Sequence, residues 1–350
     1  MRVGEIHPQA LNQWIDDHGC VGRVTRKWAW WANDDGSKGL SPCHGTRYLY
    51  RGQNRRYWSV APSISRGLHT RAMAIRDLSQ DEQFHILTAL IRADWYCRLL
   101  KTHPVLTWAN EEQFTIDRMA LAQHYELPTG YIDLSESIEV ALFFACCQFR
   151  NGQWQPISEG KGMLYRLDWV ASQELIGPRI KAIGLQPFIR PNAQWAWTIE
   201  MMLGENFEDI PGVEAVTFSH APQLGKRLLD LFDDGHNLLP HDPLFDWACH
   251  IKNSRVLPYS SAIAVIEDVA QDRFGITIQN PDDMIRQIST SGGLEFNSEP
   301  PSPATPETIA EIASAWETMK SGFVDDMQQN TQAWLIRTPK DSPSDSRTDA

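Results

Sequence analysis

Apolar positions along the chain repeat with two periods, and each period predicts its own elements. Ser79 with Glu82 three residues on is a capping box. Phe84, Leu87, Ile91, Trp95 and Leu99 follow at helical spacing, so a helix is predicted to end near His103-Pro104. A second is predicted over 111–125, with Phe114, Leu121 and Tyr125 inward, and Leu127-Pro128-Thr129-Gly130 ends it. Ser137 caps a third over 138–148 that buries Ala141, Phe144 and Ala145. Residues 222–252 read as two helical pieces around Leu239-Pro240-His241-Asp242. Strand-like runs occupy 48–52, 131–134, 162–168, 193–199 and 262–267. Strands and helices mix without the regular alternation of a parallel sheet. The predicted class is therefore α+β, a mixed, mostly antiparallel sheet flanked by helices.

The pattern changes near residue 297. Residues 298–306 hold four prolines and read as a stiff linker. A helix is predicted over 307–336, with Ile309, Ile312, Trp316, Met319 and Phe323 in a stripe that either packs back on the domain or docks on a partner. The polar tail 337–350 is expected to be disordered. With residues 1–44 as an N-terminal extension and 256–297 completing the fold, the main domain spans 45–255.

Composition narrows the classes. Of 350 residues, 42% are hydrophobic and 22% charged, enough for a sizeable core. No apolar run reaches the ~18–20 residues of a membrane helix. The first residues show no basic head followed by an apolar stretch, so a soluble cytoplasmic protein without membrane association is expected. The six cysteines include no CxxC spacing, as suits reduced thiols. His236, His241, Cys249 and His250 match no ligand template, so no metal site is expected. A net charge of −12 disfavours non-specific nucleic-acid binding by the whole surface. Yet seven arginines and no acidic residue lie between Arg47 and Arg76, which suggests a confined anion site. An arginine at a strand end before a glycine, as at Arg51-Gly52, can turn its guanidinium onto a phosphate.

Three segments carry a family resemblance. Tyr50-Arg51-Gly52-Gln53, the run ALAQHYELPTGYIDLSESIEVALFFA over 120–145, and Gly162-Met163-Leu164-Tyr165 resemble the FRG domain. The segments 190–197 and 239–242 extend the likeness over roughly 45–255. The order Tyr-Arg-Gly, Ser-x-Ser, then a helix ending Phe-Phe-Ala is also similar to ADP-ribosyltransferases of the Arg–Ser–Glu class. That likeness implies an ADP-ribosyltransferase-like architecture and nicotinamide adenine dinucleotide (NAD) as co-substrate. By the same likeness Arg51 and Gly52 hold the pyrophosphate, and Ser135 or Ser137 shapes the nicotinamide pocket beside Tyr125 and Thr129. His124 and Asp133 orient or polarise ribose and acceptor, and Gln194 bonds sugar or acceptor. The third transferase motif ends in glutamate, whereas Gln194-Trp195-Ala196 ends in alanine. Glu200, six residues along a strand from Gln194, would lie about 20 Å away. Asp133, Glu126 and Glu136 are the stand-ins, with His124 as base.

Each residue also has a plainer reading. Ser135 and Ser137 suit helix caps, His124 and Asp133 suit caps or a structural ion pair, and Gln194 suits a sheet-face amide. The resemblance implies an NAD-using toxin or anti-phage defence effector that modifies a protein or nucleic-acid acceptor and admits a neutralising antitoxin. The alternatives are a non-catalytic nucleotide- or nucleic-acid-binding module, which Ala196 favours, and an interaction protein working through the C-terminal helix. No nucleophile elbow or paired-acid motif supports a hydrolase or nuclease.

Overall fold

The computed structural model describes residues 4–23, 28–32, 35–42, 47–68, 74–183, 188–269 and 280–329. Its centre is a seven-stranded sheet in the order Gly4–Ile6, Val213–Ser219, Lys161–Asp168, Tyr48–Gln53, Tyr131–Ser135, Ala196–Glu200, Ile180–Ala182. Gly4–Ile6 runs parallel to Val213–Ser219, and every other neighbour is antiparallel. The strand period of two sorts the side chains between two cores. Leu49, Met163, Tyr165, Leu167 and Trp197 face one. Tyr50, Leu164 and Phe218 face the other, beneath helices Pro8–His18, Ile138–Cys146 and Pro222–Leu231. The α+β expectation therefore holds as a mostly antiparallel sheet with flanking helices.

A helical body lies beside the sheet. The long helix Gln80–Leu99 carries the predicted capping box, in which Ser79 N–H donates to Glu82 Oε2 at 3.0 Å. Helices Pro243–Asn253, Tyr259–Asp268, Pro281–Gly292 and Pro306–Asp326 complete its core. The C-terminal helix packs back on the domain. Trp316 is buried, with its ring 5.2 Å from that of Trp108, and Phe323 lies 5.7 Å from the same ring. Its sequel Met327–Gln329 pairs with Trp28–Ala32, which forms a hairpin with Lys38–Pro42. Residues 330–350 lie outside the described residues, and with them the predicted tail.

Three expectations need correcting. The run 262–267 is helical, within Tyr259–Asp268: Ala262, Val265 and Ile266 are buried at i, i+3 and i+4, a face that an apolar run of this length conceals. Of the predicted helix 111–125 the second half is helical, as Arg118–His124, while a separate helix Pro104–Glu111 ends where the prediction begins. Between them Gln113 takes φ 64°, its carbonyl accepts from Lys38 N–H at 2.7 Å, and Thr115 N–H donates back to the Lys38 carbonyl at 2.9 Å. The strand predicted from 193 starts at Ala196, after a short helix Ile189–Ala193 and a left-handed Trp195 at φ 50°. In the N-terminal segment 1–44, Gly4–Ile6 extends the sheet, and Leu11 and Ile15 are buried against the Ile138–Cys146 helix and its neighbours. No described helix is long and apolar enough to cross a membrane.

Candidate functional site

The sheet splits at its centre. Tyr48–Gln53 and Tyr131–Ser135 pair at Tyr50↔Ser135 alone. Each is committed on its far edge, the first to Lys161–Asp168 and the second to Ala196–Glu200. Helix Ile138–Cys146 lies across the first strand at Gly52, where a Cβ would stand 1.7 Å from the Ala141 carbonyl oxygen. Only glycine allows that approach. The split opens a cavity of about 510 Å³. Tyr50, Arg51 and Gly52 form one wall and Asp133, Leu134 and Ser135 the other. Val140, Ala141 and Phe144 line it from the helix, Gln123 and His124 from the end of Arg118–His124, and Arg190 and Gln194 from the short helix and its cap. Ser63, Pro128, Arg66, Glu126 and Lys252 complete the lining.

Arg51 reaches across the split. Its Nη1 donates to the Asp133 carbonyl at 2.7 Å, where the neighbouring strand offers no ladder partner. Its Nε is buried with no hydrogen-bond partner among the described residues. Burial lowers its pKa, while Asp133 acts in the opposite direction. A guanidinium in this position keeps its charge, so the site holds a buried cation answered by a carbonyl rather than a carboxylate hydrogen bond.

Asp133 is held on one side by Gln123, whose Nε2 donates to Oδ2 at 3.1 Å. The Gln123 Oε1 accepts from Ser63 Oγ at 2.8 Å and Thr129 Oγ1 at 2.9 Å, so one buried amide ties three chain segments. The other carboxylate oxygen, Oδ1, stands 3.4 Å from His124 Nε2, and neither atom has a hydrogen-bond partner among the described residues. Burial lowers the His124 pKa against the opposing effect of Asp133, so the ring is neutral near pH 7. The Trp197 main chain and the Gln194 side chain bond the same ring. Gln194 Nε2 donates in turn to the Leu238 carbonyl at 3.0 Å.

Arg51, Gly52, His124, Asp133, Ser135 and Gln194 thus meet in one cavity, although they are spread over more than 140 residues of chain. Ser135 Oγ donates to the Gln194 carbonyl at 2.8 Å and accepts from Ser137 N–H at 3.0 Å, which fixes the turn that closes the wall. Three of the predicted residues lie outside the lining. Ser137 caps its helix, accepting from Val140 N–H at 3.1 Å. Thr129 is fully buried on Gln123. Tyr125 donates to Asp242 Oδ2 at 2.5 Å, and Asp242 itself caps helix Pro243–Asn253. These three support the site from behind; the plainer reading of Ser137 as a cap matches its bonds.

Among the stand-in acids, Glu126 lines the cavity but is bound to Arg190 at 2.9 Å and lies 3.9 Å from Lys252. Glu136 and Glu200 are not in the lining. Ala196 is buried among Ala120, Tyr131 and Ile183, away from the cavity. Gln194 precedes the strand, so it shares no strand parity with Glu200. The sequence reading did not single out Gln123, Ser63, Arg66 or Lys252 for this site. Gln123 carried a signal only in its place within the family-like run and Arg66 only as a member of the 47–76 arginine group; Ser63 and Lys252 had none.

The arginines of 47–76 do not form a single patch. Arg47 pairs with Asp168, Arg76 with Asp77, and only Arg51 and Arg66 reach the cavity; Arg71 lies outside the described residues. No cluster of three metal-ligating side chains occurs among the described residues. Cys97, Cys146, Cys147 and Cys249 are free thiols, and burial pushes Cys97 up to about 12.

The sequence model of the FRG domain matches residues 46–153, about a third of the chain. The matched stretch contains Arg51, Gly52, Gln123, His124, Glu126, Asp133 and Ser135, so it supplies both strand walls of the cavity. Arg190, Gln194 and Lys252 come from beyond it. Comparison with curated proteins finds no match, and comparison with solved structures finds none either.

Proposed function

We propose that the cavity binds NAD on an ADP-ribosyltransferase-like scaffold and transfers its ADP-ribose to a macromolecular acceptor, with Asp133 in place of the third-motif glutamate. The observation that carries this reading is the Arg51 guanidinium, buried at the split beside a carboxylate–imidazole pair. Leaving a buried guanidinium N–H without a hydrogen-bond acceptor is costly, and a phosphate oxygen on Arg51 Nε would answer it. Arg66, Arg190 and Lys252 add positive charge around the same space, and a cavity of about 510 Å³ suits a nucleotide-sized ligand.

The two facing acceptors fit the other end of the substrate. A ribose hydroxyl donates to Asp133 Oδ1, whose negative charge stabilises the oxocarbenium character that develops at the ribose. The bond from ribose C1 to the nicotinamide nitrogen breaks, and its electron pair leaves on nicotinamide. The acceptor's nucleophile bonds to C1, and its proton passes to neutral His124 at Nε2. The toxin or anti-phage setting, with its antitoxin, is supported by the family resemblance alone.

A second reading has its own observation. The residue at the third-motif position, Ala196, is sealed in an apolar cluster, so a site that holds the nucleotide without cleaving it is the rival. The interaction-protein alternative is weakened, because Ile312 and Trp316 of the C-terminal helix are buried on the domain itself.

The test is nicotinamide release and label transfer from NAD by the full chain, with Arg51→Met, Asp133→Asn and His124→Ala beside it. Release by the wild type that falls about 100-fold or more in Asp133→Asn is expected. NAD binding by calorimetry without release would select the non-catalytic reading. Absence of NAD binding would overturn both.

A further inference from the structure

Immediately after Arg51-Gly52 the chain leaves the sheet through a short loop, Asn54-Arg55-Arg56-Tyr57-Trp58-Ser59, and returns to the cavity at Ser63 and Arg66. Trp58 has a relative exposure of 105%, the highest of the exposed large apolar side chains among the described residues. An indole held wholly in water has no packing reason to be there. Arg55 lies over the Tyr57 ring, 4.9 Å from its centroid, which braces a guanidinium beside the indole. Arg56 stands 3.9 Å from Glu208, a surface pair that is easily exchanged for another anion. The loop is tied at its start, where the Asn54 carbonyl lies 2.9 Å from His220 Nε2, and at its end, where Val60 N–H donates to Asn206 Oδ1 at 2.9 Å. Gly52 before the loop and Ser63 after it both line the cavity, which sets the loop beside it.

We infer that this loop is a docking platform for single-stranded nucleic acid, which delivers a nucleotide of that strand to the cavity as the acceptor. The acceptor role rests on the transferase reading above; the binding does not. A bare indole gives a π-face on which an unpaired base stacks, and Arg55 and Arg56, which precede it on the same loop, supply positive charge for the phosphates. Duplex bases are already stacked on each other and offer no face to Trp58. The local charge agrees: in a chain of net charge −12, the loop itself carries Arg55 and Arg56 and no acidic residue. The acidic remainder repels nucleic acid elsewhere, so binding is confined to this loop.

The test is fluorescence anisotropy with a labelled single-stranded oligonucleotide of twelve nucleotides, without NAD, on the full chain and on Trp58→Ala and Arg55→Ala. Stacking of one base predicts a loss of roughly 5- to 150-fold in Trp58→Ala. Loss of one phosphate contact in Arg55→Ala predicts a shallower salt dependence, by about 0.7 in the log–log slope. Both side chains are exposed, so unchanged circular dichroism is expected to accompany these losses. Wild type that fails to bind, variants that bind equally well, a duplex bound as tightly as the single strand, or an acidic peptide that competes as well would each overturn the proposal. Because NAD is absent, these outcomes are independent of nicotinamide release. Oligonucleotide binding without release would leave the platform standing and remove only its role in transfer.

Discussion

The Arg51-Gly52 pair predicts opposite consequences for its two members, and Gly52→Ala is the sharper case. In a strand, alanine for glycine normally stabilises by about 0.5–1 kcal/mol, because the unfolded chain loses freedom. Here the new Cβ would stand 1.7 Å from the Ala141 carbonyl oxygen, 2.7 Å from its carbon and 3.1 Å from the Ala145 Cβ. The nearest atoms are helix backbone, which cannot swing aside as a side chain does. To reach even 3.0 Å, helix Ile138–Cys146 must retreat by about 1.3 Å from the sheet. A gap of about 1 Å forfeits up to half of each dispersion contact, and Leu142, Phe143 and Ala145 lie in that layer. Overpacking of this kind costs about 3 kcal/mol or more, which exceeds the entropic gain. The net expectation is a loss of at least about 2 kcal/mol. Urea unfolding followed by far-ultraviolet circular dichroism measures it, with Gly4→Ala as the control in the same sheet. At Gly4 the nearest atom to a new Cβ is Val216 Cγ1 at 3.7 Å, so no loss is expected. A Gly52→Ala protein as stable as wild type would refute the packing account of the motif's glycine.

Further predictions concern other parts of the molecule. His103 Nδ1 accepts from Val105 N–H at 3.2 Å, and burial pulls its pKa down to about 4. The unfolded chain takes up this proton below about pH 6.5 and the folded chain only near 4, so its stabilisation is full above 6.5 and falls by about 3 kcal/mol as the pH drops to 4. His103→Asn keeps a capping acceptor, so its stability deficit relative to wild type should shrink between pH 7 and 4.5; a deficit constant with pH would contradict this. Gln123→Leu removes the partner of Ser63, Thr129 and Asp133, which should cost about 1–3 kcal/mol and depress nicotinamide release with it. Unchanged release in that variant would show that Asp133 needs no such support. Trp316→Ala empties a site between Trp108 and Phe323 and should cost about 3–5 kcal/mol, with faster proteolysis in 298–305. Equal cleavage rates would mean that the C-terminal helix is not held by this ring.

Local chemistry was legible wherever an element carries its own signals. Ser79 and Glu82 name the start of the long helix, Ser137 caps Ile138–Cys146, and a short apolar run marks Lys161–Asp168, because caps and apolar runs act over a few residues. The family-like segments 50–53 and 120–145 themselves carry Arg51, His124, Asp133 and Ser135. Tertiary structure decided the rest. The Tyr259–Asp268 helix reads locally as a strand and becomes helical where one face can pack on the long helix. Gln123 looks like a helix-surface amide until Ser63 and Asp133 arrive from sixty residues before it and ten after. The cavity itself depends on a backbone contact between Gly52 and Ala141, which holds one strand to its helix while its neighbour is drawn to the opposite edge. Such contacts join residues far apart in the chain, and a pattern with a period of two or of 3.6 records only the face each residue presents, not what will meet it.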